Sequence, residues 1–303
     1  MEAEQRYRRI LRIKDKHYVA LFLAPAIAAL ILLTIYPMLY SLKISFFNWN
    51  LTVPGSQNQF VGLQNYAEIL KHGEFWHSLW ITICFTFFSV LFCMVIGTSL
   101  AFLMFQNLKG ASIVRTFVIS AMVIAPIIVG TAWRLMYNPG WGLINYFLSV
   151  AGIGGRPFLA QASTVLPALI VVDVWEWSPL VMVIVLAGLQ GLSPEVYESA
   201  RVDGASRWQT FIHITLPLLK PALLLSLLIR TMDAFRTFDT IYAMTGGGPG
   251  RSSENLNILM YNTAFEYFQV SKAASMALLS LIVITVICTL IFRVFRRNEG
   301  EAQ

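Results

Sequence analysis

The sequence predicts an all-α integral membrane protein with six transmembrane helices and both termini on the cytoplasmic side. Of its 303 residues, 57% are hydrophobic and only 13% are charged, with a mean hydropathy of +0.65. A soluble domain carries roughly 25% charged residues. The apolar residues are also gathered into runs close to the length that a bilayer core demands of a helix, about 20 residues. The net charge of +6 does not point to nucleic acid, because the basic residues sit at the ends of apolar runs rather than on one soluble face.

The first run, residues 19–42, follows a basic tail with Arg6, Arg8, Arg9, Arg12, Lys14 and Lys16. It is too long for a signal-peptide core. Tyr36-Pro37 stands where a small-x-small cleavage site would be. The remaining runs are residues 76–105, 116–136, 164–190, 221–243 and 273–292. Pro126 interrupts the third run, and Pro167, Glu176 and Pro179 interrupt the fourth. Membrane helices tolerate proline when neighbours satisfy the freed backbone groups. Six spans place both termini on one side, together with the 106–115 and 191–220 connections. That side carries fourteen Lys and Arg against five on the other, which marks it as cytoplasmic. The organisation read from this is a cytoplasmic tail (1–18), a transmembrane domain (19–292) containing the 191–220 loop, and a second tail (293–303).

On the outer side, residues 48–74 carry Trp49, Pro54, Gly55 and Gly62 and read as an ordered surface loop. Residues 137–163 contain NPGWGLINYFL, turn signals followed by a short amphipathic piece. Residues 245–253, TGGGPGRSS, read as a sharp turn. This turn is no phosphate-binding loop: the G-x-x-x-x-G-K-[ST] spacing is missing and it faces away from ATP. Cys84, Cys93 and Cys288 lie inside apolar runs without metal-ligand spacing, and the four histidines are scattered. No catalytic constellation or metal set is visible, so the expectation is a chain that is not an enzyme and holds no cofactor.

Residues 195–221, EVYESARVDGASRWQTFIHITLPLLKP, break the apolar pattern. Ser193 can cap, Pro194 suits the first helical position and Glu195 favours the positive end of the helix dipole. The helix runs over 195–203, Gly204 turns the chain, and a second helix starts near Ala205 or Ser206 and runs to Leu216-Pro217. This predicts a helix–turn–helix at the membrane surface. About thirty residues is long for a plain connection.

The pattern E-x-A-x-x-x-G-x(9)-I-x-L-P, carried by Glu198, Ala200, Gly204, Ile214, Leu216 and Pro217, resembles the EAA loop of ABC-importer membrane subunits. Ser199 stands where the family has its middle alanine, and Asp203 also fits. FVGLQNY at 60–66, Asn138-Pro139 with Gly142 and Asn145, and TGGGP at 245–249 resemble the sugar-permease branch, related to the maltose and glycerol-3-phosphate permeases. The resemblance covers the chain from about residue 19 onward. It implies a permease subunit that imports a carbohydrate by alternating access in the bacterial cytoplasmic membrane. The partners implied are a cytoplasmic ABC ATPase dimer, which holds the ATP and Mg, a second homologous permease as heterodimer partner, and an extracytoplasmic solute-binding protein. It also implies that Glu198, Ser199, Ala200, Asp203, Gly204, Ala205, Leu216 and Pro217 form the ATPase-coupling element, with Glu198 meeting an arginine of the ATPase.

Ionisable residues inside a membrane are costly and mark function by default. VVDVWEWSP in the fourth run holds Asp173 and Glu176, with Trp175 and Trp177. RTMDAFRTFD in the fifth holds Arg230, Asp233, Arg236 and Asp239. With the two spans antiparallel, a rise of 1.5 Å per residue sets Asp173 level with Arg236 and Glu176 level with Arg230. Two readings stand: structural ion pairs between helices, or a pathway lining in which Trp175 or Trp177 stacks on a sugar, with a neutral sugar preferred. A self-contained proton-coupled secondary transporter is the alternative function. It would use the same charges as a relay, but no inverted repeat is visible.

Overall fold

The computed structural model describes Ala20, residues 22–106 and residues 109–300, with side chains to residue 295. The basic N-terminal tail lies outside the described residues. The fold is helical, and the described residues contain no strand beyond one antiparallel bridge, Phe47 to Phe60.

Among the described residues, four helices are long and apolar enough to cross a membrane: α1 (Phe22–Ile44), α3 (Gly73–Phe105), α7 (Ala162–Gln190) and α13 (Val270–Gly300, apolar over Val270–Phe295). The other two expected spans are bent pairs. The third is α4 (Ala111–Val123) followed by α5 (Pro126–Met136), turned by 100°. Ile124 and Ala125 are extended there, as a residue before proline prefers, and Pro126 opens the new helix. The fifth joins α9 (Arg207–Leu218) to α10 (Lys220–Phe235) with a 61° bend at Leu219. Moreover, α10 stops at Phe235, and the chain becomes helical again only in α11 (Asp239–Thr245). Pro126 thus breaks the 116–136 run that it interrupts in the sequence, and the 221–243 run, read as one span, is corrected to a helix that stops at Phe235. Proline leaves other traces: the π-helical turns Ile31–Ile35 and Phe211–Thr215 come just before Pro37 and Pro217, which lack the amide that an α-helix would use. Pro167 and Pro179 leave α7 unbroken.

The chain divides into two compact units, residues 1–71 with 263–278 and residues 72–262 with 279–303. In the first, α1 exposes its large apolar side chains, and its end is clasped by polar groups. Asn65, on α2 (Gln64–Lys71), donates from Nδ2 to the carbonyls of Ser45 and Phe47, both at 2.8 Å. Ser271 and Ser275 at the start of α13 donate to the carbonyls of Ile44 and Ser45. Asn65 of FVGLQNY thus serves the loop after α1 as a clasp.

In the second unit, α3 and α7 form the packed centre, with Phe85, Val181, Met182, Val185 and Leu189 buried between elements. Gly97 makes the approach close. A Cβ there would lie 2.6 Å from the Ser178 carbonyl oxygen and 2.6 Å from the Val181 Cβ. Gly130 of α5 is pressed in the same way against Thr240 and Ala243 of α11. Elsewhere in this unit, α6 (Leu143–Val150) and α12 (Leu256–Tyr261) are short connectors.

Candidate functional site

Seen from the membrane interior, α3, α7 and α10 converge on one charge cluster. Arg230 is fully buried, and Asp173 and Glu176 are 2% and 1% exposed. Arg230 Nη2 meets Asp173 Oδ2 at 2.6 Å, and its Nη1 meets Asp233 Oδ2 at 2.6 Å. The Ser89 hydroxyl of α3 donates to the same Asp173 oxygen. The guanidinium carbon of Arg230 also lies 5.5 Å from the centre of the Trp177 ring, within cation–π range. One arginine is thereby held by two carboxylates and an aromatic face. The Asp233 side chain, 38% exposed, is the lip of the cluster.

The register differs from the expected one. Asp173 pairs with Arg230, not with Arg236, and Glu176 has no ion pair. Neither Glu176 oxygen has a hydrogen-bond partner among the described residues. The nearby Thr240 hydroxyl donates instead to the Pro126 carbonyl, at 3.4 Å. The reason is the break after Phe235. Arg236 leaves the helix and turns back, its Nε donating to the Met232 carbonyl at 3.2 Å, so a straight-helix depth count does not apply to it. Trp175 also stands apart. Asp173, Glu176 and Trp177 share one face of α7, whereas Trp175 packs edge-on to Trp133, ring centres 5.5 Å apart. It lines an apolar groove of about 1060 Å³ with Phe88, Phe92, Phe117 and Val171. Ser89 went unnoticed in the sequence. Its signal was a run of small polar residues, Ser78, Thr82, Thr86 and Ser89, at helical spacing within apolar α3.

At the far end of α7 the chain forms α8 (Pro194–Val202), a turn, and α9. Gly204 takes φ +74°, a left-handed conformation that costs glycine little, and a Cβ there would touch nothing. Ser193 sits at the cap position of α8 but makes no capping bond, contrary to expectation. Ser206 does cap α9, through a reciprocal box with Gln209. Ala200 is buried at the turn, where its carbonyl accepts from Ala205 N at 2.9 Å. Thr215 donates to the Tyr197 hydroxyl at 3.3 Å and ties α9 to α8. Glu195, Glu198, Ser199, Val202 and Asp203 line a shallow cavity of about 400 Å³, an acidic surface that the chain leaves open. Leu216 is partly exposed beside Pro217 on α9.

At the opposite end, the NPGWG and TGGGP turns share a second cavity, with Arg134 in its wall. Nearby, burial opposes the charge on Arg251, but hydrogen bonds to Glu254 and Glu74 outweigh it and raise the pKa of the guanidinium.

The family described as "Binding-protein-dependent transport system inner membrane component" matches residues 66–299. The chain belongs to this family. Among relatives of this transport component, the trehalose/maltose transport system permease protein MalF of Thermococcus litoralis is 36% identical over 83% of this chain and 85% of its own length. The trehalose transport system permease protein SugA of Mycobacterium tuberculosis is 32% identical, over 94% of this chain and 90% of its own. Of solved structures, a bacterial ABC transporter for the acidic polysaccharide alginate has a TM-score of 0.82 at 24% identity, covering 96% of this chain and 99% of that one. A second structure of the alginate transporter, in complex with alginate pentasaccharide-bound periplasmic protein, also gives 0.82 at 24% identity, over 94% of this chain and 96% of that one. The component is therefore a multi-pass membrane protein of the ABC-importer permease fold.

Proposed function

We propose that this chain is the membrane-spanning permease subunit of an ATP-driven, solute-binding-protein-dependent importer of a carbohydrate, working by alternating access in a bacterial cytoplasmic membrane. The observation that carries the reading is the α8–turn–α9 element. Its second helix is capped, its surface is open and acidic along Glu195, Glu198 and Asp203, and three residues, 191–193, join it to α7. Such a lever suits docking on a basic cleft of a cytoplasmic ATPase, with Glu198 toward an arginine. Family membership and the names of the sugar-permease relatives support the solute class.

In this reading both termini and the coupling element are cytoplasmic, and ATP and Mg are held by the ATPase pair. A second, homologous permease completes the pathway. Within the pathway, Asp233 and Arg236 are the accessible members of the charge set and meet solute. Asp173, Glu176, Arg230 and Trp177 stand behind them, and Trp175 faces the apolar groove.

Purification of the complex tests the assignment. An ATPase pair, a second permease and ATP-dependent sugar uptake in reconstituted vesicles are expected. Uptake that continues without ATP, driven by a proton gradient, would overturn it.

A further inference from the structure

Two turns of different sequence, Asn138-Pro139-Gly140 and Thr245–Pro249, come together at the end of α7 remote from the coupling element. The 29-residue α7 separates the two ends by roughly 43 Å at 1.5 Å per residue. The cavity between the turns measures about 330 Å³ and is lined by Arg134, Asn138, Pro157, Leu159, Met244 and Pro249 among others. Its walls are mostly apolar, and Arg134 is its cation.

Arg134 is exposed and makes no ion pair among the described residues. Its one hydrogen bond is a long one, Nη1 donating to the Ala243 carbonyl at 3.4 Å. Arg251, another cation of this unit, is spent on Glu74 and Glu254. Arg134 therefore holds an unused charge at the edge of a cavity.

Both rims are fixed. Asn138 Oδ1 accepts from Gly140 N at 2.9 Å, and Asn145 Nδ2 donates to the carbonyls of Tyr137 and Asn138 at 3.0 and 3.1 Å. On the other rim, the Ser253 hydroxyl donates to the Gly248 carbonyl at 2.6 Å and lies 2.9 Å from the Thr245 hydroxyl. A cavity whose walls are held this way loses little freedom when it is filled, and preorganisation of this kind favours tight docking. Its volume falls at the lower end of ligand pockets, about 300–1,000 Å³. That suits one or two protruding side chains better than an oligosaccharide.

We propose that this cavity receives a carboxylate side chain from the extracytoplasmic solute-binding protein, with Arg134 as its counter-ion. The apolar walls take the methylene stem and Arg134 takes the charge. The docking role rests on the import reading above, which places this end outside the cell. Rim charges of this kind act on encounter and on salt dependence.

The test uses the assembled transporter in lipid nanodiscs and its fluorescently labelled, solute-loaded binding protein, with binding read by anisotropy. Arg134→Glu is expected to raise Kd about tenfold, a change of about 1.4 kcal/mol, and Arg134→Gln to raise it less. Added salt should weaken wild-type binding more than that of Arg134→Gln. Should Arg134→Glu fail to assemble, the neutral Arg134→Gln, checked for co-purification of its partner subunits, carries the comparison alone. A Kd within twofold of wild type in the assembled variants, with unaltered salt dependence, would overturn the docking role and leave the import reading intact. Failure of the wild-type complex to bind its binding protein would overturn both.

Discussion

Arg230 and Asp173 meet at 2.6 Å across α10 and α7, with side-chain exposures of 0% and 3%. Neither could stay there alone. An isolated ion in an apolar interior costs several kcal/mol even after relaxation, and the pair persists because Asp233, Ser89 and Trp177 satisfy what remains. The cluster therefore joins three helices through side chains that are buried except at Asp233.

Asp173→Asn should lower stability strongly. Removing one partner of a buried pair costs about 3–5 kcal/mol, because the other charge stays behind. Arg230 would retain only Asp233, whose carboxylate is partly exposed. Thermal unfolding of the purified complex in detergent checks this, with a clear fall in Tm expected. The double change Asp173→Asn with Arg230→Met should recover much of the loss. A single variant as stable as wild type would show that the pair contributes little.

Glu176 behaves in the opposite way. Among the described residues neither of its oxygens has a hydrogen-bond partner, so Glu176→Gln has no bond to break there. Its stability should match wild type, and Glu176→Leu, which removes the buried polar atoms, should match or exceed it. The same Tm measurement decides. A fall like that of Asp173→Asn would mean that Glu176 is bonded, for instance through buried water.

The contrast between these two acids also marks how far the sequence could be read. Six apolar runs, the helix–turn–helix around Gly204 and the unusual charges were legible because each depends on local composition or on a residue's own conformational needs. Pro126 announced a break in the third span, and Gly204 announced a turn. The pairing within the cluster was not legible. It depends on α10 ending at Phe235, a stop that no glycine or proline announces, after which Arg236 folds back on Met232. Nor could hydropathy show that Trp175 and Trp177, two residues apart, look into different surroundings. Those facts belong to packing between helices far apart in sequence.

The α3–α7 contact gives a steric prediction. A Cβ at Gly97 would fall 2.6 Å from the Ser178 carbonyl oxygen, and backbone cannot step aside as a flexible side chain can. Gly97→Ala should force the two helices apart and destabilise the subunit, on the order of the 1–3 kcal/mol typical of overpacking. Gly97→Leu should prevent assembly. Size-exclusion profiles and Tm of the two variants check this. A well-assembled Gly97→Leu protein would show that the contact is looser than its geometry implies.

Gly204 offers the sharpest test of the coupling role, because its fold and contact requirements separate. Its φ of +74° suits glycine, and a β-branched residue there meets a left-handed penalty of roughly 1–2 kcal/mol. Space does not forbid the side chain within this chain, since an added Cβ touches nothing. Gly204→Val should therefore still insert in the membrane and assemble its transmembrane core. It should also distort the turn between α8 and α9 and place bulk where a partner would approach. Solute-stimulated ATPase activity of the reconstituted complex should fall at least tenfold, while Gly204→Ala, which adds less bulk, should fall less. The measurement pairs ATPase assays with protease protection of the inserted subunit. Coupling that survives Gly204→Val at the wild-type level would remove the α8–α9 turn from the ATPase interface and leave its open acidic surface without the role assigned to it.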